Sequence, residues 1–327
     1  MPPNKELLIS TRQFAREIRW RSWWHVGSTL AVVLFLAAIT SSGLNWTARV
    51  LASGLLGLAL VRVFVLYHDF QHGAILRHSR AARALMRLVG MILLTPASGW
   101  NRSHNYHHSH NSILSAPDIG TYPLMTVDQY RNAGWAQRTL YVAQRHPLTM
   151  CGGYPFVFLY GMCLRPFFAD PLRHWDGGVS VVGHAALLLW LGCCGPDDLV
   201  LSALVPYSLA STIGAYLFYV QHNFPGVRLA AASDWKYTAA ALASSSYLRM
   251  GPLMNWFTAN IGYHHVHHLN ARIPFYRLPD AMRAIPALQA PEGSSLAVAD
   301  IRACLRLKLW DPVSEQLVPW SSLRDAA

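Results

Sequence analysis

Glutamate and lysine are nearly missing from this chain. Its 327 residues hold glutamate only at 6, 17, 292 and 315 and lysine only at 5, 236 and 308, and 13% of all residues are charged. Soluble globular domains carry about 25% charged residues, so the deficit points away from a water-facing fold. The glutamate shortage also has a chemical consequence. Carboxylate-bridged di-iron proteins use Glu-x-x-His pairs on bundled helices, and no glutamate here has a histidine three residues on. HExxH and GxSxG are absent as well, which removes the helical zinc-protease motif and the nucleophile elbow. Cysteine supplies no framework: residues 151, 163, 193, 194 and 304 show no paired spacing and read as reduced, mostly buried thiols. No cleavable signal peptide is expected, since no short apolar core with a small-residue cleavage site opens the chain.

What is plentiful is hydrophobic sequence, 53% of the chain, bunched into runs. Residues 26 to 42, 46 to 67, 179 to 195 and 199 to 221 each approach the roughly 20 apolar residues that a helix needs to cross a bilayer. Short links, GLN and GPDD, join them in pairs. The net charge of +11 is nearly all arginine, gathered in the N-terminal stretch and after the second run, whereas the links hold little positive charge. Arginine-rich loops stay in the cytoplasm, so both termini and the long middle segment are expected there. A basic chain can bind nucleic acid or lipid; with no nucleic-acid-binding signature, lipid is the reading and nucleic acid is not expected. Residues 85 to 100 and 154 to 168 are apolar but short or interrupted, and read as interfacial helices.

Sixteen histidines are present, and most of them fall in three short clusters on the expected cytoplasmic side. HDFQH holds His68 and His72, SHNYHHSHN holds His104, His107 and His108, and YHHVHHLN holds His264, His267 and His268. Residues three and four apart share a helix face, so each cluster presents its imidazoles as one stripe. Neutral imidazole is a good ligand for iron, zinc and copper, and eight such ligands are too many for one ion. His222, at the end of the fourth apolar run, mirrors His68 at the end of the second and is taken as a further ligand, with Gln221 and Asn223 as supporting or water-holding groups. Asp69 is placed to accept from a ligand's other ring nitrogen. His25, His146, His174 and His184 read as ordinary satisfied side chains, His78 and His110 as turned away from the ligand faces, and His265 as a supporting or solvated group. With carboxylate, zinc-protease and hydrolase chemistry removed, a histidine-rich pair of irons remains, activating dioxygen beside a lipid whose acyl chain enters a narrow apolar tunnel. Trp256 and Phe257 are candidate tunnel walls.

The three boxes in this order, with apolar hairpins between them, resemble the membrane-bound fatty acid desaturase family, most closely its bacterial acyl-lipid, omega-type branch. DIGTYPLMTVDQY after the second box and HHLNARIPFYRLPDA after the third add to the likeness. The resemblance implies an all-α integral membrane fold: four transmembrane helices in two hairpins, interfacial helices and a cytoplasmic histidine-rich cap over residues 1–290, with a cytoplasmic tail over 291–327. It implies two Fe ions held by His68, His72, His104, His107, His108, His264, His267 and His268, with His222 as a further ligand. It further implies a cis double bond made in a membrane lipid or carrier-bound acyl chain, O2 as co-substrate, and an external electron donor such as a ferredoxin. Hydroxylases and ketolases acting on alkanes or carotenoids share comparable boxes and are the main rivals. A membrane scaffold stabilised by zinc is a more distant one.

Overall fold

Among the described residues, four helices are long and apolar enough to cross a membrane: α1 (Arg19–Thr40), α2 (Trp46–Gln71), α3 (Trp175–Cys194) and α4 (Pro196–Val220). The computed structural model describes residues 4–114, 116 and 119–323. Asp118, which opens the DIGTYPLMTVDQY stretch, and residues 324–327 of the expected tail lie outside the described residues. Each long helix pairs with its sequence neighbour through a tight connection. Asn45 starts α2 by accepting a hydrogen bond from the Ala48 N–H, 3.0 Å. Arg49, one turn in, donates to Asp198 at 2.7 Å and to the Thr40 carbonyl at 2.8 Å. Both short connections therefore meet at one end of the bundle, and the histidines gather at the other.

α2 is the central helix, with 67% of its apolar window buried against 22% for α1 and for α3. Its contact with α4 depends on a glycine: a Cβ on Gly57 would lie 2.9 Å from a Leu209 methyl and 3.1 Å from the Pro206 carbonyl. Without a hydrophobic drive between helices in lipid, such close backbone approach is a main source of association. Farther along α2, Arg62 is buried. Its guanidinium donates to Thr29 Oγ1 at 2.9 Å and to the Trp256 carbonyl, lies 3.3 Å from His25 Nδ1, and sits over the Trp256 ring. Trp256 thus covers a cation buried within the bundle and is not among the walls of the cavity beside the histidines.

Residues 85 to 100 form parts of two helices, Arg80–Ile92 and Ala97–His110, which meet at 90°. Pro96 explains the break: it lacks an N–H and disfavours helical backbone at Thr95 before it, and Leu94 turns the chain with a positive φ of 57°. By length and apolarity this bent pair can also count as one broken span. The second interrupted run is helical too, a π-helical stretch Tyr154–Leu164 followed by Arg165–Ala169, with Phe156, Tyr160 and Phe168 turned outward. Trp20, Trp24, Trp46, Trp135 and Trp175 are exposed, as in the aromatic belts of membrane interfaces.

Beyond the histidine ends, a cap of short elements adds Ile75, Phe224, Val266, Phe275 and Leu278 to a core that it shares with Val61, Val65 and Leu66 of α2. Two minimal sheets interrupt the all-helical plan: Tyr247–Arg249 runs parallel to Gly293–Ser295, and Leu309–Asp311 antiparallel to Gln316–Val318. The segment beyond 290 is packed into this cap and is not peripheral, with Cys304 and Trp310 buried. The cysteines correct another expectation. Cys163 and Cys304 are buried, but Cys151, Cys193 and Cys194 are exposed. The last two end α3 close to outward-facing Leu189 and Trp190, where a bilayer would be the neighbour and a thiol has little to gain by turning inward.

Gly57→Leu should force α2 and α4 apart and lower the melting temperature of the detergent-solubilised protein, an overpacking cost of about 1–3 kcal/mol. Gly27→Leu, whose Cβ would meet nothing within 4 Å, should leave melting nearly unchanged. Equal behaviour of the two variants contradicts the close contact.

Candidate metal centre

The histidine clusters do not act as three stripes. Nine imidazoles sort into two groups, in each of which one ring nitrogen per residue lies within 4.8 Å of the others. His68, His72, His104, His108 and His267 form the first; His107, His222, His264 and His268 form the second. Each His-x-x-His-His box is therefore divided. On a helix of 3.6 residues per turn, positions three and four along fall on opposite sides of the first residue. His104 and His108 face one group while His107 faces the other, and His264 and His268 face the second group while His267 returns to the first. The groups adjoin, with the His108 and His268 rings stacked at 4.2 Å and 11°.

The supports come from several elements. α2 delivers His68 and His72 at its end, helix Ala97–His110 carries the second box, the residue after α4 and its C-cap Gln221 is His222, and helix His264–Leu269 carries the third. Asp69 is fully buried; one oxygen lies 3.4 Å from His68 Nδ1 and the other accepts the Phe275 N–H at 2.7 Å. His222 Nδ1 faces the Ser244 carbonyl at 2.9 Å, which makes Nδ1 the protonated nitrogen and leaves Nε2 with its lone pair toward the group. Trp100, one turn before His104, stacks on its ring at 4.3 Å and meets His68 edge-on. Sequence reading passed over Trp100, although its i, i+4 spacing to His104 is a usable signal.

Several expectations fall elsewhere. Asn223 does not support the imidazoles: its amide accepts from Arg145 and donates to the Cys304 carbonyl at 2.8 Å, holding the C-terminal segment to the end of α4. Gln221 donates to the Ile261 carbonyl at 3.0 Å. His265 is not solvated; it is buried, with Nε2 3.2 Å from the Leu288 carbonyl. His25, His146, His174 and His184 lie outside both groups, each with a partner of its own. So do exposed His78 and half-buried His110, the latter stacked on Tyr106.

The donor set fits metal ions and is poorly satisfied without them. His104 Nε2 lies 3.0 Å from the Nε2 atoms of both His68 and His72 and 3.1 Å from that of His108. Nε2 of His222 lies 3.0 Å from those of His107 and His264. A neutral imidazole has one lone pair and one N–H, so such crowded nitrogens cannot all be paired by protons, and a cation at each centre satisfies them together. Charge is suppressed as well. Burial pushes His72 and His222 down to about 4. Burial, with the neighbouring rings adding to it, holds His264, His267 and His268 well below the ordinary imidazole range. The neutral ring is the ligating form. Against the first group lies an apolar cavity of about 270 Å³, walled by Phe64, Trp100, Phe158, Met162 and Phe218.

A profile of the family described as fatty acid desaturase matches residues 44–298. The chain belongs to the fatty acid desaturase family. It is 30% identical over 295 residues to the fatty acid desaturase of Bacillus subtilis, an alignment covering 89% of this chain and 81% of that protein. It is 27% identical to the chloroplastic sn-2 acyl-lipid omega-3 desaturase (ferredoxin) of Helianthus annuus and 26% identical to the chloroplastic omega-3 fatty acid desaturase of Ricinus communis. These alignments cover 81% of this chain and 61% and 59% of the two plant proteins. The family consists of oxidoreductases, and the chain is an enzyme of that class.

Unfolded imidazoles titrate near 6.5, whereas His72, His222 and His265 titrate near 4 in the fold. Protons therefore favour the unfolded chain, and stability should fall as pH drops from about 6.5 toward about 4. Melting of the metal-free protein followed by fluorescence should show that loss, with added metal opposing it. A melting temperature flat across this window contradicts neutral buried rings.

Proposed function

We propose that this chain is a membrane enzyme that introduces a cis double bond into an acyl chain, with one iron ion held in each histidine group. The observation that carries the reading is the convergence of buried, neutral imidazoles into two groups beside an apolar cavity, in a chain of the desaturase family. The first group would use His68, His72, His104, His108 and His267, and the second His107, His222, His264 and His268. Iron bound there supplies activation of O2, the co-substrate, and the strength to break an unactivated C–H bond. The balance removes two hydrogens from adjacent methylenes and, with two protons and two electrons from outside, reduces dioxygen to two waters.

The protein's own groups supply positioning. Asp69 and the Ser244 carbonyl orient His68 and His222 through the ring nitrogen that faces away from the metal. Trp100 fixes the plane of His104 and forms part of the cavity wall. Phe64, Phe158, Met162 and Phe218 hold a hydrocarbon chain against the first group, so that one pair of methylenes is presented repeatedly. A lipid or carrier-bound acyl chain suits these walls.

The remaining parts of the reading concern place and partner. The arginine distribution supports a multi-pass arrangement with both termini and the histidine cap cytoplasmic, and the Bacillus subtilis relative favours a bacterial inner membrane as its place. Electrons would come from an external donor such as a ferredoxin; one relative carries ferredoxin in its name, and an arginine-rich face complements an acidic carrier.

Expression in a host with simple membrane lipids tests the reading. The unaltered protein should add a double bond visible in the fatty-acid profile, and His104→Ala should abolish it while remaining in the membrane. A new hydroxyl or keto group would move the chain to oxygen insertion, and no change by a fully metallated protein would contradict the proposal. Metal content tests the division of ligands. His104→Ala with His267→Ala, both in the first group, should leave about one ion per chain, whereas His104→Ala with His264→Ala should leave almost none. Equal losses would overturn the two-group assignment.

A further inference from the structure

Arg62 is 2% exposed, and among the described residues no carboxylate pairs with it. A cation inside a membrane bundle is costly, and an apolar side chain of like volume is often as good or better for stability. Its contacts show what the charge does there. The guanidinium donates to the Trp256 carbonyl and lies 4.3 Å from the centre of the Trp256 ring and 5.5 Å from that of Phe275. Phe275 is also the residue whose N–H Asp69 accepts, at 2.7 Å. Arg62 and Asp69 are seven residues apart, two helical turns, so they share one face of α2 about 10 Å apart along its axis.

The third histidine box lies between these two anchor points, and it needs outside support. The first box ends a helix of 26 residues and the second lies on one of 14, but the third sits on the six residues His264–Leu269. Helices below about 12 residues are marginal by themselves. Yet this short piece sends His267 to the first group and His264 and His268 to the second. Gln221 and Tyr237 hold carbonyls within the segment, at Ile261 and His268. Asn260 Nδ2 donates to the Phe275 carbonyl at 3.2 Å and draws the two ends together, and α2 grips both.

We infer that Arg62 is a positioning residue: with Asp69 it clamps the segment 256–275 to α2 and so sets three imidazoles, one in the first group and two in the second. The inference rests on the metal-binding reading of the two groups and not on the reaction that they run. Arginine suits the place because one planar guanidinium reaches a carbonyl and covers two aromatic faces, which a compact ammonium cannot do. Releasing this end of the segment loosens ligands of both ions together. It leaves the cavity beside the first group intact, since none of its walls comes from 256–275.

The test compares purified, iron-loaded unaltered protein with Arg62→Met and Arg62→Lys. Release of both irons to excess chelator should be about tenfold faster in Arg62→Met and intermediate in Arg62→Lys. Deuterium uptake should rise in peptides spanning 257–274 and stay level in those of α3 and of helix Ala97–His110. Melting of the metal-free protein should not move down. Thr29→Val removes one α1 contact of the same guanidinium and keeps the Trp256 carbonyl contact, so it should release iron at the unaltered rate. Where product is followed, turnover should drop in Arg62→Met while KM for the acyl substrate holds. Unchanged iron release and unchanged local exchange in Arg62→Met overturn the inference. So does a uniform rise in exchange with a lower melting temperature, which marks a merely structural role. Should Arg62→Met fail to reach the membrane, Arg62→Lys against Thr29→Val decides by the same readouts. Unaltered protein that binds no iron overturns the metal-binding reading itself, a result distinct from any behaviour of the Arg62 variants.

Discussion

Nine imidazoles, six of them buried and three half-buried, with ring nitrogens facing one another near 3 Å, set the terms for the rest of this molecule. Such an array cannot be satisfied by its own protons, and burial keeps it from relieving the crowding by becoming charged. A cation at the centre of each group resolves both problems. The fold's task is to hold the rings in that arrangement before any ion arrives, which requires stiff supports from several directions.

The supports explain the architecture. α2 is the most buried of the long helices and carries the first box at its end, so His68 and His72 inherit the rigidity of the bundle. α4 packs against α2 through Gly57 and sets His222 opposite. The cap then closes the array: Phe275 anchors Asp69, Ser244 orients His222, and the C-terminal segment is tied to the end of α4 through Asn223. Placing the groups at the ends of the long helices puts them at the edge of the apolar bundle. In the proposed reading, a hydrocarbon chain would meet the first group in the cavity walled by Phe64, Phe158 and Phe218.

The four long helices and their pairing were legible because length and apolarity alone distinguish a bilayer-crossing run. The histidines that assemble were legible from spacing, including the isolated His222, because its place at the end of α4 repeats that of His68. Their allocation was not. A His-x-x-His-His box has its second and third histidines on opposite sides of the first, and which side meets which partner depends on how three helices dock. Asn223 and Gln221 were misjudged for a similar reason: neighbours of a ligand in sequence point elsewhere on a turn. Trp256 was assigned to a tunnel when it packs on Arg62, a contact between residues far apart in the chain. The packed C-terminal segment escaped notice because its strands are three residues long and its anchors are single buried side chains.

The central claim is that two metal ions sit in separate, all-imidazole surroundings, one of five rings and one of four. X-ray absorption at the iron edge of the purified, loaded protein tests this most directly. The account predicts about two irons per chain and a first shell dominated by nitrogen, with the outer-shell scattering of imidazole corresponding to four to five rings per iron. A shell dominated by oxygen, or one iron per chain with only a few imidazoles, would contradict it.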